Sequence, residues 1–290
     1  MEQGIARSDL AAECGAGVQG AGVSVQHAEV GACHILRVRI GNEAAARKVG
    51  KPQGRYVTVE FEGISALAAH EREEVQRAVA VELRELAERS LGTRLRARTS
   101  VLVVGLGNAS MTADALGPEM VRRLCVTRHL GGQVLPNATC TLSAFSPGVL
   151  GQTGIEAEEL VRGAVSVLKP DLVLAVDALA ARSPQCLAAT VQISDAGIQP
   201  GGGVGNPRAP LTAAHVGVPV LAIGVPTVVD SATLVADALA EAGLAIFGET
   251  AQARLRNTRP LLVSPREIDI VIAEGGVLLA GAIERAFSLS

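Results

Sequence analysis

The stretch Val101–Pro118, reading Val-Leu-Val-Val-Gly-Leu-Gly-Asn-Ala-Ser-Met-Thr-Ala-Asp-Ala-Leu-Gly-Pro, limits what this chain can fold into more than any other part of it. Four consecutive aliphatic residues, Val101 to Val104, predict a strand covered on both faces, as in a parallel sheet. Gly105 and Gly107 then let the backbone turn sharply, and Asn108 can bond within its own turn. Asp114 follows at the edge of a helix expected over residues 115–124, with Pro118 in its first turn. Ligands of open α/β sheets collect beyond the carboxyl ends of the strands, so an acidic side chain at this corner is a candidate for chemistry.

Further continuous apolar runs follow, at Leu172–Val176, Thr190–Ile193 and Val218–Gly224, separated by amphipathic segments over residues 155–168, 231–247 and 265–287. This alternation is that of βαβ units. Upstream, His34–Ile40 and Arg55–Phe61 alternate apolar and polar residues, as half-exposed antiparallel strands at a sheet edge do. Residues 64–90 carry apolar positions at helical spacing. The predicted fold is α/β, a largely parallel sheet flanked by helices with a smaller edge subsheet, in one domain over residues 10–290. Residues 1 to about 30, rich in Gly, Ala, Ser and Gln, are expected to be mobile.

With 48% hydrophobic but only 2% aromatic residues, the core must be built from Val, Leu, Ile and Ala. A net charge of −3 leaves no electrostatic footprint for nucleic acid. No long apolar run or basic-then-apolar leader occurs, which predicts a soluble cytoplasmic protein without a membrane partner. The cysteines, Cys14, Cys33, Cys125, Cys140 and Cys186, form no C-x-x-C and stand at no metal spacing, so reduced, structural thiols are expected.

Two carboxylates stand out. Asp114 marks the corner just described, and Asp177 directly follows the apolar run Leu172–Val176 at the boundary between core and crevice. A buried carboxylate there must be solvated, hydrogen-bonded, paired with Arg182 or functional. Two such groups brought close cannot both ionise readily; the one keeping its proton supplies an acid and the other a base for water. Gly105-Leu-Gly-Asn108 lacks the third glycine and the distal acid of a dinucleotide site, so no such cofactor is expected. No phosphate loop and no G-x-S-x-G elbow occurs. His129 is the histidine nearest the candidate site in sequence. A metal held by Asp114, Asp177 and one histidine is chemically possible, although no metal or cofactor is assigned.

Seven blocks carry a resemblance: Gly105–Asn108, Thr112–Pro118, Val126–Leu130, Ser146–Glu156, Asp177–Ser183, Gly203–Asn206 and Ala222–Asp230. Taken together, and in collinear order over about residues 5–248 and again 264–282, they resemble the germination proteases of spore-forming bacteria. The resemblance implies an endopeptidase that begins the digestion of small acid-soluble spore proteins at germination. It implies catalysis by Asp114 and Asp177, a supporting loop that includes Gly105, Gly107, Asn108, Gly148 and Gly151, and a homotetramer made as a zymogen in the forespore. Arg7-Ser-Asp-Leu-Ala11 is similar to the family's processing site, so residues 1–9 would be a propeptide cut between Asp9 and Leu10. The Gly107–Gly117 spacing is similar to that of hydrogenase maturation endopeptidases, whose acidic residue at the Asp114 position binds nickel; this implies a shared fold and leaves a metal-dependent use of the same aspartates, or a non-catalytic binding relative, as alternatives. Two departures from the family pattern are Ala113, where a proline is usual, and a short segment from Glu249 to Leu262.

Overall fold

The apolar run at Val101 forms strand β4 (Ser100–Gly105), and it lies between two parallel neighbours, β5 (Thr141–Phe145) and β6 (Leu172–Ala181). The computed structural model describes residues 8–15, 20, 22–130, 140–203, 205, 208–243 and 261–288. Strand β8 (Val220–Asp230) extends the parallel set on the far side of β6. Antiparallel strands then continue the same sheet: β7 (Thr190–Ser194), β3 (Gly54–Glu60), β2 (Cys33–Ile40) and, at the edge, β1 (Val23–Val30). The order is β1-β2-β3-β7-β8-β6-β4-β5, with the short β9 (Leu262–Val263) paired to the end of β8. The α/β architecture is therefore as expected, with a parallel core half and an antiparallel half.

Each face of the sheet is covered for a reason visible in the side-chain alternation. Val101, Val103, Leu172, Leu174, Val176, Val191 and Ile193 point to one face, where they meet α3 (Ala69–Leu91), α4 (Leu116–Arg123) and α9 (Ile268–Phe287). Val104, Val173 and Ala175 point to the other, against Val161 and Val165 of α6 (Ala157–Leu168) and Val216 of α7 (Ala213–Val216). Fully buried side chains such as Phe287, Leu83 and Leu174 each contribute on the order of 1.5–3 kcal/mol by leaving water. Across the antiparallel half, Arg37 of β2 donates through Nε to the buried Glu82 of α3 at 2.8 Å, which pins the long helix to that part of the sheet.

Three expectations are corrected. The N-terminal region is not uniformly loose: Val23–Val30 forms β1, and residues 8–15 include α1 (Ala11–Gly15) with Leu10 and Ala11 fully buried. Weak periodicity hid both, because β1 is an exposed edge strand and α1 is only about one turn long. Strand β6 runs on past Val176 to Ala181, so Asp177 lies within the strand rather than after it. Strand β8 likewise continues through Pro226 to Asp230, absorbing the proline where its register with β6 slips by one residue. Helix α8 (Ser231–Glu241) occupies the start of the helix expected over 231–247. The end of that expectation, and most of the short Glu249–Leu262 segment, lie outside the described residues. No helix among the described residues is long and apolar enough to cross a membrane.

Candidate active site

Strand β4 stops where β6 and β8 go on, and that difference in length makes the crevice. The last β4 pairing joins Gly105 to Val176, after which Leu106 N–H donates to the Val176 carbonyl at 2.8 Å and the chain leaves the sheet. Asp177 is the next residue of β6, so on that side its neighbour is the turning loop instead of another strand.

The loop is built to hold Asp114. Gly107 has φ +109°, a conformation that strains any other residue, and a Cβ there would overlap the Asp114 carbonyl oxygen. Asn108 N–H donates to Asp114 Oδ2 at 2.8 Å. The Asn108 side chain in turn accepts from Ser110 N–H at 2.9 Å and from Gln152 Nε2 at 2.7 Å. Gly105 packs so closely on α4 that a Cβ would overlap the Gly117 carbonyl. The Ala113 carbonyl accepts from Thr227 Oγ1 at 2.7 Å, a hydroxyl presented next to the slip in β8. That bond ties the loop before Asp114 to the sheet.

Asp177 is 6% exposed, and its Oδ1 accepts from Ala178 N–H at 2.9 Å. Burial first, then the charges of Asp114 and Asp9, raise its carboxyl well above the usual carboxylate range. Burial also raises Asp114, against the opposing effect of the Asn108 N–H. Both aspartates line one cavity of about 370 Å³, together with Gly107, Asn108, Gly148, Gly151 and Thr227. Of the expected supporting glycines only Gly105 is absent from the lining; it lies beneath, at the strand–helix contact.

Asp9, the residue before the expected cut, lies in this same place. It lines the aspartate cavity, and burial raises its carboxyl too, opposed by the N–H groups of Ala180 and Gly203 and by the charge of Lys51. Asp9 N–H donates to the Ala180 carbonyl and Ala180 N–H donates back to Asp9 Oδ2, both at 2.8 Å. Gln192 Nε2 donates to the Asp9 carbonyl at 2.8 Å, while its Oε1 accepts from Ala11 N–H at 2.6 Å. Leu10 is buried against Leu179, Ala181 and Val229. Past it, Glu13 accepts from Arg182 N–H at 2.8 Å and Ser183 N–H at 2.7 Å, anchoring α1 over the end of β6.

Other expectations fare differently. Arg182 pairs through its side chain with Asp237, not with Asp177. No histidine lines the aspartate cavity; His129 lies in a short turn of 3-10 helix elsewhere. Among the described residues no group of three His, Cys, Asp or Glu side chains is placed to hold a metal ion. Burial pushes the Cys140 thiol up to about 11, and burial followed by Glu13 pushes Cys186 up to about 12, so neither is a nucleophilic thiolate near neutrality. Sequence reasoning missed Ala180, Gln192, Gly203, Lys51 and Thr227. Ala180, Gly203 and Thr227 fall inside blocks that carry the resemblance without standing out there, and Lys51 and Gln192 fall in none; their contributions are backbone groups or contacts made across the fold.

The family model described as germination protease matches residues 13–259. A germination protease of Caldanaerobacter subterraneus subsp. tengcongensis is 38% identical over 91% of this chain and 88% of its own length. One from Clostridium perfringens is 38% identical over 87% of this chain and 83% of its own, and one from Priestia megaterium is 42% identical over 75% and 59%. Among solved structures, a [NiFe] hydrogenase maturation protease, HycI from Thermococcus kodakarensis KOD1, aligns with 68% of this chain and 98% of its own at 18% identity and a TM-score of 0.34.

Proposed function

The chain belongs to the germination protease family and is a peptidase, and from that premise we propose that it is an aspartate-pair endopeptidase, made as a zymogen, that begins the breakdown of small acid-soluble spore proteins. The observation that carries this reading is the shared cavity of Asp114 and Asp177, with Asp177 the more deeply buried and the more strongly driven to keep its proton. In the proposed reaction Asp114, ionised, takes a proton from water as the oxygen adds to the scissile carbonyl carbon. Asp177 gives its proton to the amide nitrogen as the C–N bond breaks. The products are a carboxylic acid and an amine, and the proton now on Asp114 must return to the pair before the next turnover.

The placement of Asp9 in the wall of that cavity supports the zymogen reading: the uncut N-terminal segment occupies space a substrate would need. We place the processing cut between Asp9 and Leu10, leaving residues 1–9 as propeptide and 10–290 as the mature chain. We further propose that the enzyme acts in the forespore and spore core as a homotetramer. Exposed Leu261, Leu262 and Ile270 offer apolar surface for such assembly.

Incubation of the purified protein with a small acid-soluble spore protein, with and without chelator, tests the central reading. Cleavage that survives chelation is the expected result. Chelator-sensitive cleavage would transfer the same aspartates to a metal-dependent mechanism, and no cleavage under any condition of pH would leave a binding protein.

A further inference from the structure

The Asp9–Leu10 segment is held by contacts that no property of the segment alone requires. Gln192 is buried in β7, and the two hydrogen bonds of its amide go to backbone groups on either side of one residue, Leu10: the carbonyl of Asp9 and the N–H of Ala11. Gln192, Gly224 and Asp177 are register partners across β7, β8 and β6, so all three face the same side of the sheet. Gly224 in the middle adds no side chain, and there is no room for one: a Cβ there would overlap the Asp177 carbonyl oxygen and stand 2.8 Å from Leu179 Cγ. The backbones of Gln192 and Asp177 are two strand spacings apart, roughly 9–10 Å, with Leu179 packed over Gly224 between them. Asp9 sits between two cavities, one of about 370 Å³ holding the aspartate pair and one of about 540 Å³ lined by Lys51, Gln192, Gly203 and Gly224; among the described residues it alone lines both.

The acidic side chain has a fitted seat. Ala180 lies beyond the last β4 pairing, and both its N–H and its carbonyl are taken by Asp9. A Cβ on Gly203 would overlap Asp9 Oδ2 and stand 2.6 Å from its Cγ. Lys51 Nζ donates to the Ser8 carbonyl at 2.8 Å and adds positive charge beside the carboxylate. The following leucine fills an apolar pocket made by Leu179, Ala181 and Val229.

We propose that this seat is the enzyme's own substrate site, occupied in cis: Ala180, Gly203 and Lys51 select an acidic residue before the cut, the Leu179–Val229 pocket selects an aliphatic one after it, and Gln192 holds the scissile carbonyl. The proposal rests on the endopeptidase reading above and adds which residues confer its sequence preference. It also gives Gln192 a role in rate, since its N–H is aimed at the oxygen on which charge develops when water adds.

The test compares two peptides, Arg-Ser-Asp-Leu-Ala-Ala-Glu and the same peptide with Ala in place of Asp, cut by the wild-type enzyme and by two variants. Gly203→Ala should lower the preference for Asp over Ala at least tenfold, because the added methyl occupies the carboxylate's space while leaving room for a smaller residue. Gln192→Leu should lower kcat about 10²-fold with little change in KM and none in the Asp-over-Ala preference. Wild-type values for both variants would overturn the proposal. A second measurement needs no turnover: in the unprocessed chain carrying Asp114→Asn, Gln192→Leu should speed hydrogen exchange at the Ala11 amide tenfold or more, and unchanged protection there would likewise overturn it. Should the wild-type enzyme cut neither peptide, the endopeptidase reading fails, and the exchange measurement still decides whether Gln192 holds the segment.

Discussion

The two walls of the crevice are built on different principles. The Asp114 wall is local: a strand ends, two glycines turn the chain, and the N–H of Asn108 reaches a carboxylate six residues on. The facing wall is assembled from afar. Asp9 meets Ala180, and Gln192 reaches back to Asp9 and Ala11 across most of the chain. A local wall is stiff because few backbone dihedrals can relax it, whereas a wall closed by the N-terminus can be opened by one cut. Under the mechanism proposed above, the first wall would perform the chemistry, and the second would both display the processing sequence and receive substrate.

The largest expected effect lies on the chemical side. Asp177→Asn and Asp114→Asn should each reduce kcat/KM on an acidic–aliphatic peptide by 10²–10⁴-fold, the range of a lost general acid or base. Near-normal turnover in either variant would detach the chemistry from this wall. Next, Gly107→Val should impair both stability and activity, since a β-branched residue at φ +109° would also strike the Asp114 carbonyl. A loss of about 1–3 kcal/mol in denaturant unfolding is expected. A Gly107→Val protein as stable as wild type would show the local wall to be softer than its geometry implies.

A third outcome concerns pH. Native Asp177 keeps its proton to higher pH than the unfolded chain does, so in the interval between the two values the native state binds the extra proton. Stability should therefore fall as pH rises from about 3.9 through the raised native value. Asp177→Asn, with no proton to lose, should flatten that slope and be the more stable protein at neutral pH. Urea unfolding at pH 4 and pH 7 measures both proteins, and parallel slopes would contradict the assigned cause. The smallest effect belongs to the Arg182–Asp237 pair at the outer edge, where both side chains are partly exposed. Asp237→Ala should cost about 0–1 kcal/mol by thermal unfolding and leave cleavage unchanged; a loss of several kcal/mol would mark the pair as part of the far wall's support.

Legibility in the sequence followed the same division. Val101–Val104 followed by Gly, Gly, Asn and Asp announces a strand and a turn within eighteen residues, and the structure has β4 and the Asp114 corner there. Asp177 could be picked out as an acid in an apolar run, but its position inside β6 could not, because the length of β4 beside it decides where the crevice opens. Lys51 and Gln192 gave no sign, and nothing marked Ala180 within its block, since what the three contribute is an ammonium, a side-chain amide and a backbone edge placed by the sheet's strand order. The run Ser8–Ala11 resembles a processing site, whereas its seating against β6 and β7 has no counterpart in the sequence.

The most direct test of the account is the identity of the N-terminus formed when the full-length protein is held at mildly acidic pH in the presence of chelator, read by N-terminal sequencing and intact mass for wild type and Asp177→Asn side by side. The account predicts a new terminus at Leu10 in the wild type and an intact Met1 in the variant. A Leu10 terminus in both, or a wild-type protein that digests its substrate while still beginning at Met1, would contradict it.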